Sequence, residues 1–414
     1  VDRAGAGVTG EILFLAHRVP FPPDRGDRIR SHHLLKALAK LAPVHVGCFA
    51  EGDRAGEAAL AAIAATHCIV PRGKPLALAG IEAVLAGKPV SLTAFHSRKL
   101  HGWVQDTIAA RNISAIVVFS GQMGQYIPAD FTGRVVIDLC DVDSAKFASY
   151  AEGGERVWLN AREARLLAAE EERLGHRADA TLLISDAEAA LYRSRLAAPD
   201  TVNVQVIGNG IDAAFFNPTG VTPHPILAGL PGPHITFTGQ MDYRPNEQAA
   251  LWAIETLMPR LRARYPSAMF HIVGRNPTGK LMAHHGTPGV QVWGAVPDVR
   301  PFIAAADLVL APLLIARGVQ NKVLEAMAMA KPVVVTPEAA TGIAAQAGTQ
   351  WLITPPDGAA MCDAIAPLLA DPDARGQMGA AARQFVLDHH GWGAMLAPLA
   401  GLLGMEAEGT RHAA

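Results

Sequence analysis

The sequence predicts an α/β protein built from two tandem, doubly wound parallel-sheet domains. Three observations lead there. Short apolar runs alternate with helical stretches through the first half of the chain, the alternation restarts in the second half, and a proline- and glycine-rich segment separates the two series. A parallel sheet is covered on both faces, so its strands read as near-continuous apolar runs. In the first series such runs lie at 11–16, 44–49, 115–119, 135–139, 180–184 and 202–207, with helical stretches at 28–40, 57–65, 103–111 and 157–176. Residues 218–233 hold five prolines and three glycines with little periodicity, which is linker composition. The second series places strands at 234–238, 269–273, 291–293, 308–311, 333–336 and 351–353, and helices at 246–265, 299–306, 319–330 and 358–370. The domains are therefore expected at 11–217 and 234–385. Ligands of such sheets bind beyond the carboxyl ends of the strands, and the expected site is a cleft between the two domains.

Composition narrows the partners. A length of 414 residues suffices for two domains with substantial cores, and 18% charged against 50% hydrophobic residues marks a globular chain. A net charge of −2 argues against bulk nucleic-acid binding, which needs a strongly basic domain. Cys48, Cys68, Cys140 and Cys362 form no close pair, so neither a zinc knuckle nor a disulfide framework is expected and a reducing cytoplasm fits. No apolar run reaches the roughly 18 residues of a membrane span. The best, 302–316, is short and interrupted by Asp307. Residues 1–10 lack the basic start and hydrophobic stretch of a signal peptide.

The most informative stretch is 317–335, a glycine turn, a short helix, a proline stop and a buried strand. Gly318 lets backbone approach a ligand closely. Val319, Gln320 and Asn321 lead into a first helical turn, where free N–H groups and the dipole favour an anion. Asn321 and Glu325 are four apart and share a helix face. Amide donors for a phosphate and a carboxylate for sugar hydroxyls suit a nucleotide-sugar. The plain alternative is an ordinary α/β crossover.

Other strand ends add candidates. After the first strand no G-x-G-x-x-G occurs, so a dinucleotide fingerprint is missing. A proline-stiffened loop, 17–25, leads instead to Gly26 and a helix carrying Arg28 and Arg30, where a sugar or phosphate could bind. The alternative is a solvated basic helix start. The run 135–144 ends in Asp138, Asp141 and Asp143. Three readings stand: a divalent ion shared with a diphosphate, a helix N-cap cluster, or hydrogen bonds to sugar hydroxyls, the last being preferred to metal. Asn209 sits in an Asn-Gly turn before the linker. In the second domain Gly239 permits close contact and Arg244 offers a fork-shaped donor for a diphosphate. Arg275, after Gly274, is a weaker candidate for the same anion, and the Gly294–Val296 turn could read a base edge. The 16 histidines show no metal-ligand spacing; the pairs His32-His33, His284-His285 and His389-His390 read as surface. No Gly-x-Ser-x-Gly elbow or Walker loop occurs.

Together these stations resemble the retaining family-4 glycosyltransferases of the GT-B fold, with two Rossmann-like domains. The resemblance rests on Ile207-Gly208-Asn209-Gly210-Ile211-Asp212, on Gly239, Gly274 and Gly294, and on Glu325-Ala326-Met327-Ala328 ending at Pro332-Val333-Val334. It spans about 11–403. The runs 237–246 and 316–325, with Asp138 and Asp141-Val142-Asp143-Ser144, are most similar to bacterial exopolysaccharide sugar transferases associated with exosortase/PEP-CTERM systems. The resemblance implies a UDP- or GDP-sugar donor on the second domain and a glycan or lipid-linked acceptor on the first. It makes Glu325 a ribose ligand, sets Lys322 and Arg244 beside the diphosphate, and puts Gly26 near the transferred sugar. Arg244, Lys322 and Glu325 are the expected catalytic group. A last helix, 386–404 with Trp392, would cross back onto the first domain.

Three positions depart from that family. Arg317 stands eight before Glu325, where a second glutamate is common. Gln240 replaces a frequent basic residue, and Cys140 replaces a histidine before Asp141. The implied chemistry is retaining transfer in which fixed donors stabilise the leaving diphosphate, with no metal and no cofactor besides the donor substrate. A nucleotide-sugar epimerase or hydrolase, and a non-catalytic nucleotide-sugar-binding subunit, are the competing readings. Peripheral membrane contact at the inner face is compatible with Arg18, Arg25, Arg28, Arg30 and Lys36 as a basic surface, which could equally be an acceptor pocket.

Overall fold

The computed structural model describes residues 10–23, 26–50, 56–154, 156–316 and 319–405. It divides into two compact units, one running to Asn209 and resuming at Met395, the other Gly210–Ala394.

Among the described residues the first unit carries seven parallel strands: β1 (Glu11–Ala16), β2 (Val44–Ala50), β3 (Thr66–Pro71), β4 (Ile113–Phe119), β5 (Arg134–Cys140), β6 (Ala180–Leu183) and β7 (Val204–Val206). Their order is β3-β2-β1-β4-β5-β6-β7. Ile12, Leu13, Phe14 and Leu15 are all buried, on alternating faces, because the sheet is covered on both sides. The order reverses between β1 and β4, paired from Ile12 opposite Ala115 to Ala16 opposite Phe119. That reversal is where a doubly wound sheet opens a crevice. β3 is absent from the sequence-based expectation. It is an edge strand with only Cys68, Ile69 and Val70 buried, too short an apolar run to stand out.

The second unit carries β8 (His234–Thr238), β9 (Met269–Val273), β10 (Val290–Gly294), β11 (Leu308–Ala311), β12 (Val333–Val335) and β13 (Leu352–Ile353). Their order is β10-β9-β8-β11-β12-β13, with the reversal between β8 and β11. The single helix expected at 246–265 is three pieces: Arg244–Trp252, a π-helical turn Ala253–Leu257, and Met258–Arg264. Pro259 has no N–H to continue an α-helical ladder, and the wider turn before it absorbs the mismatch.

The proline-rich segment is part of the second unit rather than a free tether. Its helix Pro225–Ala228 buries Leu227 against Val273 and Phe302. The His224 N–H donates to the Pro301 carbonyl at 2.9 Å. A side-chain relay pins the segment further. Trp293 Nε1 donates to His271 Nδ1 (3.2 Å), so the His271 proton sits on Nε2 and is donated to His234 Nδ1 (3.0 Å). His234 Nε2 then donates to the Leu230 carbonyl (3.1 Å). Burial pushes the His271 pKa down to about 4, which keeps that ring neutral near pH 7. The chain also leaves the second unit later than expected. Helix Pro372–His389 runs through position 386, and Trp392 stays in the second unit, close enough to Gly210 that a Cβ there would meet it at 2.7 Å. Residues 395–405 belong to the first unit.

Candidate functional site

In the second unit Gly239, Gly274 and Lys322, three of the residues assigned above to the donor, lie together beyond β8. The strand end needs glycine at two places. A Cβ on Gly274 would lie 1.6 Å from the Gly239 carbonyl oxygen, and one on Gly239 would lie 2.9 Å from Asn246 Nδ2 and 3.4 Å from Lys322 Nζ. Both N–H groups are already used: Gly239 donates to Val273 (3.1 Å) and Gly274 to Gly294 (2.9 Å). These glycines therefore let strand ends close on one another and bring Lys322 in; their N–H groups are not free for a ligand. Gly294, at φ 70°, faces open space. Val296 packs its side chain on the Leu227–Val273–Phe302 cluster.

Lys322 and Glu325 lie one turn apart on helix Asn321–Ala328. Lys322 Nζ donates to Asn246 Oδ1 and stands 5.1 Å over the Phe237 ring. Asn246, a residue the sequence reading passed over, is buried and aims its other amide group at the Gln240 carbonyl (2.9 Å), which locks it as a receiver for Lys322. Its place in the first turn after the Gly239 loop was the available signal. Burial pushes Lys322 down to about 8, partly opposed by Glu325; burial pushes Glu325 up to about 7, partly opposed by Lys322. The Glu325 carboxylate has no hydrogen-bond partner among the described residues. Ammonium and carboxylate are thus both short of polar partners in a half-buried place.

The remaining donor candidates are less engaged. Arg244 is exposed at the first position of its helix and makes no hydrogen bond or ion pair among the described residues. Arg275 donates to Gln240 Oε1 at 2.8 Å, so a guanidinium stands beside the glutamine that departs from the family pattern. Val319 and Asn321 are exposed, and the Gln320 carbonyl accepts from Val323 N at 2.9 Å to start the helix. Arg317 and Gly318 lie outside the described residues.

In the first unit a cavity of about 500 Å³ opens at the strand ends. Of the residues assigned above to the acceptor or sugar, Gly26, Asp141, Asp143 and Asn209 line it; Arg28 does not. Asp138 is corrected. Fully buried, it accepts from Arg30 Nε at 2.8 Å through one oxygen and from the Cys140 N–H at 3.1 Å through the other. It is an anchor, and with no surface exposed it is not among the cavity's lining residues. Arg30, 2% exposed, carries the link onward: its Nη1 donates to the Gly208 carbonyl and to Asn209 Oδ1, both at 3.1 Å. This clamp fixes the Asn209 turn against the sheet. Cys140 is held at φ 66°, a strained left-handed conformation for a cysteine, directly in the cavity wall.

The basic surface expected from Arg18, Arg25, Arg28, Arg30 and Lys36 does not form as such. Arg30 is buried, Arg18 is turned onto Asp27, Arg25 lies outside the described residues, and Lys36 alone of the described four is exposed. His17 is a cavity residue the sequence reading missed. It stacks on Phe119 (5.5 Å, 20°), meets Phe95 edge-on (5.9 Å) and places Nε2 3.3 Å from Asp27 Oδ2. Hydrogen bonds from His17 and then Arg18, against the opposing effect of burial, hold the Asp27 carboxyl well below the usual range. Its position immediately after β1 was the overlooked signal. Burial raises the pKa of Asp143 and, with Glu188 and Asp143 nearby, of Asp141.

Residues 232–371, which contain Gly239, Asn246, Lys322 and Glu325, match the family described as Glycosyl transferases group 1. No curated protein matches the chain. Among solved structures it is similar to the sucrose-phosphate synthase of Thermosynechococcus elongatus, at 18% identity over 95% of this chain and 98% of that one, with a TM-score of 0.56. Anabaena HepE, crystallised with UDP and glucose, is 17% identical over 95% and 99% with a TM-score of 0.58. WaaG, a glycosyltransferase involved in lipopolysaccharide biosynthesis, is 18% identical over 94% and 99% with a TM-score of 0.55. The fold is GT-B, with one Rossmann-like sheet in each unit.

Proposed function

We propose that this chain is a retaining glycosyltransferase that moves one sugar from a UDP- or GDP-sugar to a glycan or lipid-linked acceptor in exopolysaccharide assembly. The observation that carries the reading is the Asn246–Lys322–Glu325 group, an ammonium and a carboxylate one helical turn apart, each disfavoured by burial, the ammonium with Asn246 as its one hydrogen-bond partner and the carboxylate with none among the described residues. An anion beside Lys322 and hydroxyl groups on Glu325 would relieve both, and a nucleoside diphosphate-sugar carries both. The family match over this segment and the nucleotide held by HepE support the donor class.

The hard step is departure of the nucleoside diphosphate as positive charge builds on the anomeric carbon. A fixed cation in a low-dielectric place stabilises that leaving charge without reorganising. Lys322 fills this role in the proposal, positioned by Asn246. Glu325 orients the ribose. The first-unit cavity takes the acceptor, with Asp141, Asp143 and Asn209 as hydroxyl partners. In the retaining route the departing phosphate accepts the acceptor's proton from the same face, so no protein nucleophile is needed. No metal is assigned, and activity is expected to survive EDTA.

The test is a panel of UDP-, GDP- and ADP-sugars read by thermal stabilisation of the purified protein, followed by nucleotide release with acceptor present. One UDP- or GDP-sugar should raise the melting temperature and be turned over with retained anomeric configuration. Stabilisation without turnover on any acceptor would favour a binding subunit, and free epimerised sugar would favour an epimerase. Absence of stabilisation by every nucleotide-sugar removes the proposal.

A further inference from the structure

At the end of β5 the chain passes through 140–144 into helix Asp143–Glu152. Alternate backbone N–H groups along this segment each meet a carboxylate. Cys140 donates to Asp138 Oδ1 at 3.1 Å, Val142 to Glu188 Oε2 at 2.9 Å and Ser144 to Glu171 Oε1 at 2.9 Å. The Ser144 hydroxyl adds a bond to Glu171 Oε2 at 2.5 Å. Asp141 and Asp143, the residues in between, line the first-unit cavity; Asp138, Glu171 and Glu188 do not. Neither the Asp141 nor the Asp143 carboxylate makes a hydrogen bond among the described residues. The segment is thus held through its alternate N–H groups, while the two acids between them are left to the cavity.

Both glutamates come from other helices. Glu171 belongs to Val157–Arg177, 27 residues beyond Ser144, and Glu188 to Asp186–Arg195, 46 residues beyond Val142. A helix start is ordinarily capped by its own Ser, Thr, Asp or Asn. Here the N-cap position is Val142, 3% exposed, with no side-chain oxygen to offer. The substitute is costly. Burial pushes Glu171 up to about 7, against the hydrogen bonds from Ser144, and burial, Glu188 and Asp143 together raise Asp141. A serine or asparagine at 142 would cap the helix without adding like charges. Arg195 Nε on Ser144 Oγ (3.1 Å) and the Tyr192 hydroxyl on the Glu171 carbonyl (2.7 Å) tie the clamp to its neighbours.

We propose that Glu171 and Glu188 are positioning residues for the acceptor: they hold Ser144 and Val142 so that the Asp141 and Asp143 carboxylates meet its sugar hydroxyls. The proposal rests on the reading of the first-unit cavity as the acceptor site. A plain helix cap would act on stability alone, whereas a positioning residue acts on the acceptor KM. Glu188 separates the two best. It is half-buried, and replacing it removes the acceptor of one backbone N–H without emptying an interior place.

The experiment compares wild type with Glu188→Ala, Glu188→Gln and Glu171→Ala. It reads deuterium exchange of a peptide covering 140–146, thermal stabilisation by the panel of nucleotide-sugars, and turnover with the octyl glycosides of glucose, galactose, mannose and N-acetylglucosamine. Glu188→Ala should raise the acceptor KM about tenfold and speed exchange of 140–146 by a similar factor, as loss of one hydrogen bond to a charged group does. Its donor KM, donor stabilisation and melting temperature should stay at the wild-type values. Glu188→Gln keeps an oxygen for the Val142 N–H and should bring both readouts back to within about twofold of wild type. Glu171→Ala should go further in the same direction; if it folds poorly, the Glu188 pair still decides. An unchanged acceptor KM or unchanged exchange in Glu188→Ala, a donor KM that rises alongside, or a glutamine variant as impaired as the alanine one overturns the proposal. So does a wild type that a nucleotide-sugar stabilises but that uses none of the four glycosides, since Asp141 and Asp143 then meet no sugar hydroxyl. Absence of stabilisation by every nucleotide-sugar fails the transferase reading instead, and exchange in 140–146 then decides the clamp by itself.

Discussion

Each unit buries a cation and a carboxylate near its strand ends, and the two pairs behave oppositely. In the first unit Arg30 and Asp138 meet at 2.8 Å, and every remaining bond of the pair but one guanidinium nitrogen goes to the Cys140, Gly208 and Asn209 loops. In the second unit Lys322 leans on a neutral amide and Glu325, among the described residues, on no hydrogen-bond partner, and burial works against both charges. A buried charge whose hydrogen bonds are spent inside the fold is architecture; one left short of partners is available to a ligand. A cation and a carboxylate in each of two parallel-sheet units thus carry different duties.

Substitution can break this contrast. The largest effect is expected at Arg30→Leu, which leaves the Asp138 carboxylate buried without its partner. Loss of one member of such a pair costs about 3–5 kcal/mol, read as a lower urea midpoint. If Arg30→Leu kept wild-type stability and lost only activity, Arg30 would be a ligand group and the contrast would collapse. Lys322→Ala should reverse the pattern. Turnover should fall by roughly a hundredfold, as when a transition-state donor is removed. Stability at pH 7 should hold or rise, because the folded-state pKa near 8 lies below the ordinary 10.5 and the charged ammonium is a cost at that pH.

Glu325→Gln sharpens the comparison with a smaller effect. The Glu325 pKa is raised from 4.5 to about 7, so the folded state holds that proton more tightly than the unfolded one. The stabilisation this gives is full below pH 4.5 and is lost as pH rises through 7. The melting temperature of Glu325→Gln relative to wild type should therefore climb between pH 5 and pH 8, while its donor KM rises about tenfold at pH 8. A difference flat in pH would mean that Glu325 is solvated in the fold, contrary to its half-buried place.

Much of the fold was legible because parallel strands must be apolar on both faces. The runs at 11–16, 234–238, 269–273 and 308–311 are strands with those same limits. The misses share a physical origin. β3 sits at a sheet edge and needs only three buried residues, and the helix expected at 246–265 was broken by the missing N–H of Pro259. The proline-rich segment reads as a tether by composition, yet one leucine and a histidine relay fasten it to the sheet.

For the site, local order set Lys322 and Glu325 one turn apart on an amphipathic helix and put glycine where strands end, since helix period and backbone sterics act over a few residues. Burial and pairing between distant segments were decided by tertiary structure alone. It sent Asp138 to Arg30, 108 residues away, and so out of the ligand set. It brought Asn246 to Lys322 across 76 residues and His17 into the cavity wall. Whether a charge is spent or spare depends on what packs around it, and the sequence carries that only through the complete fold.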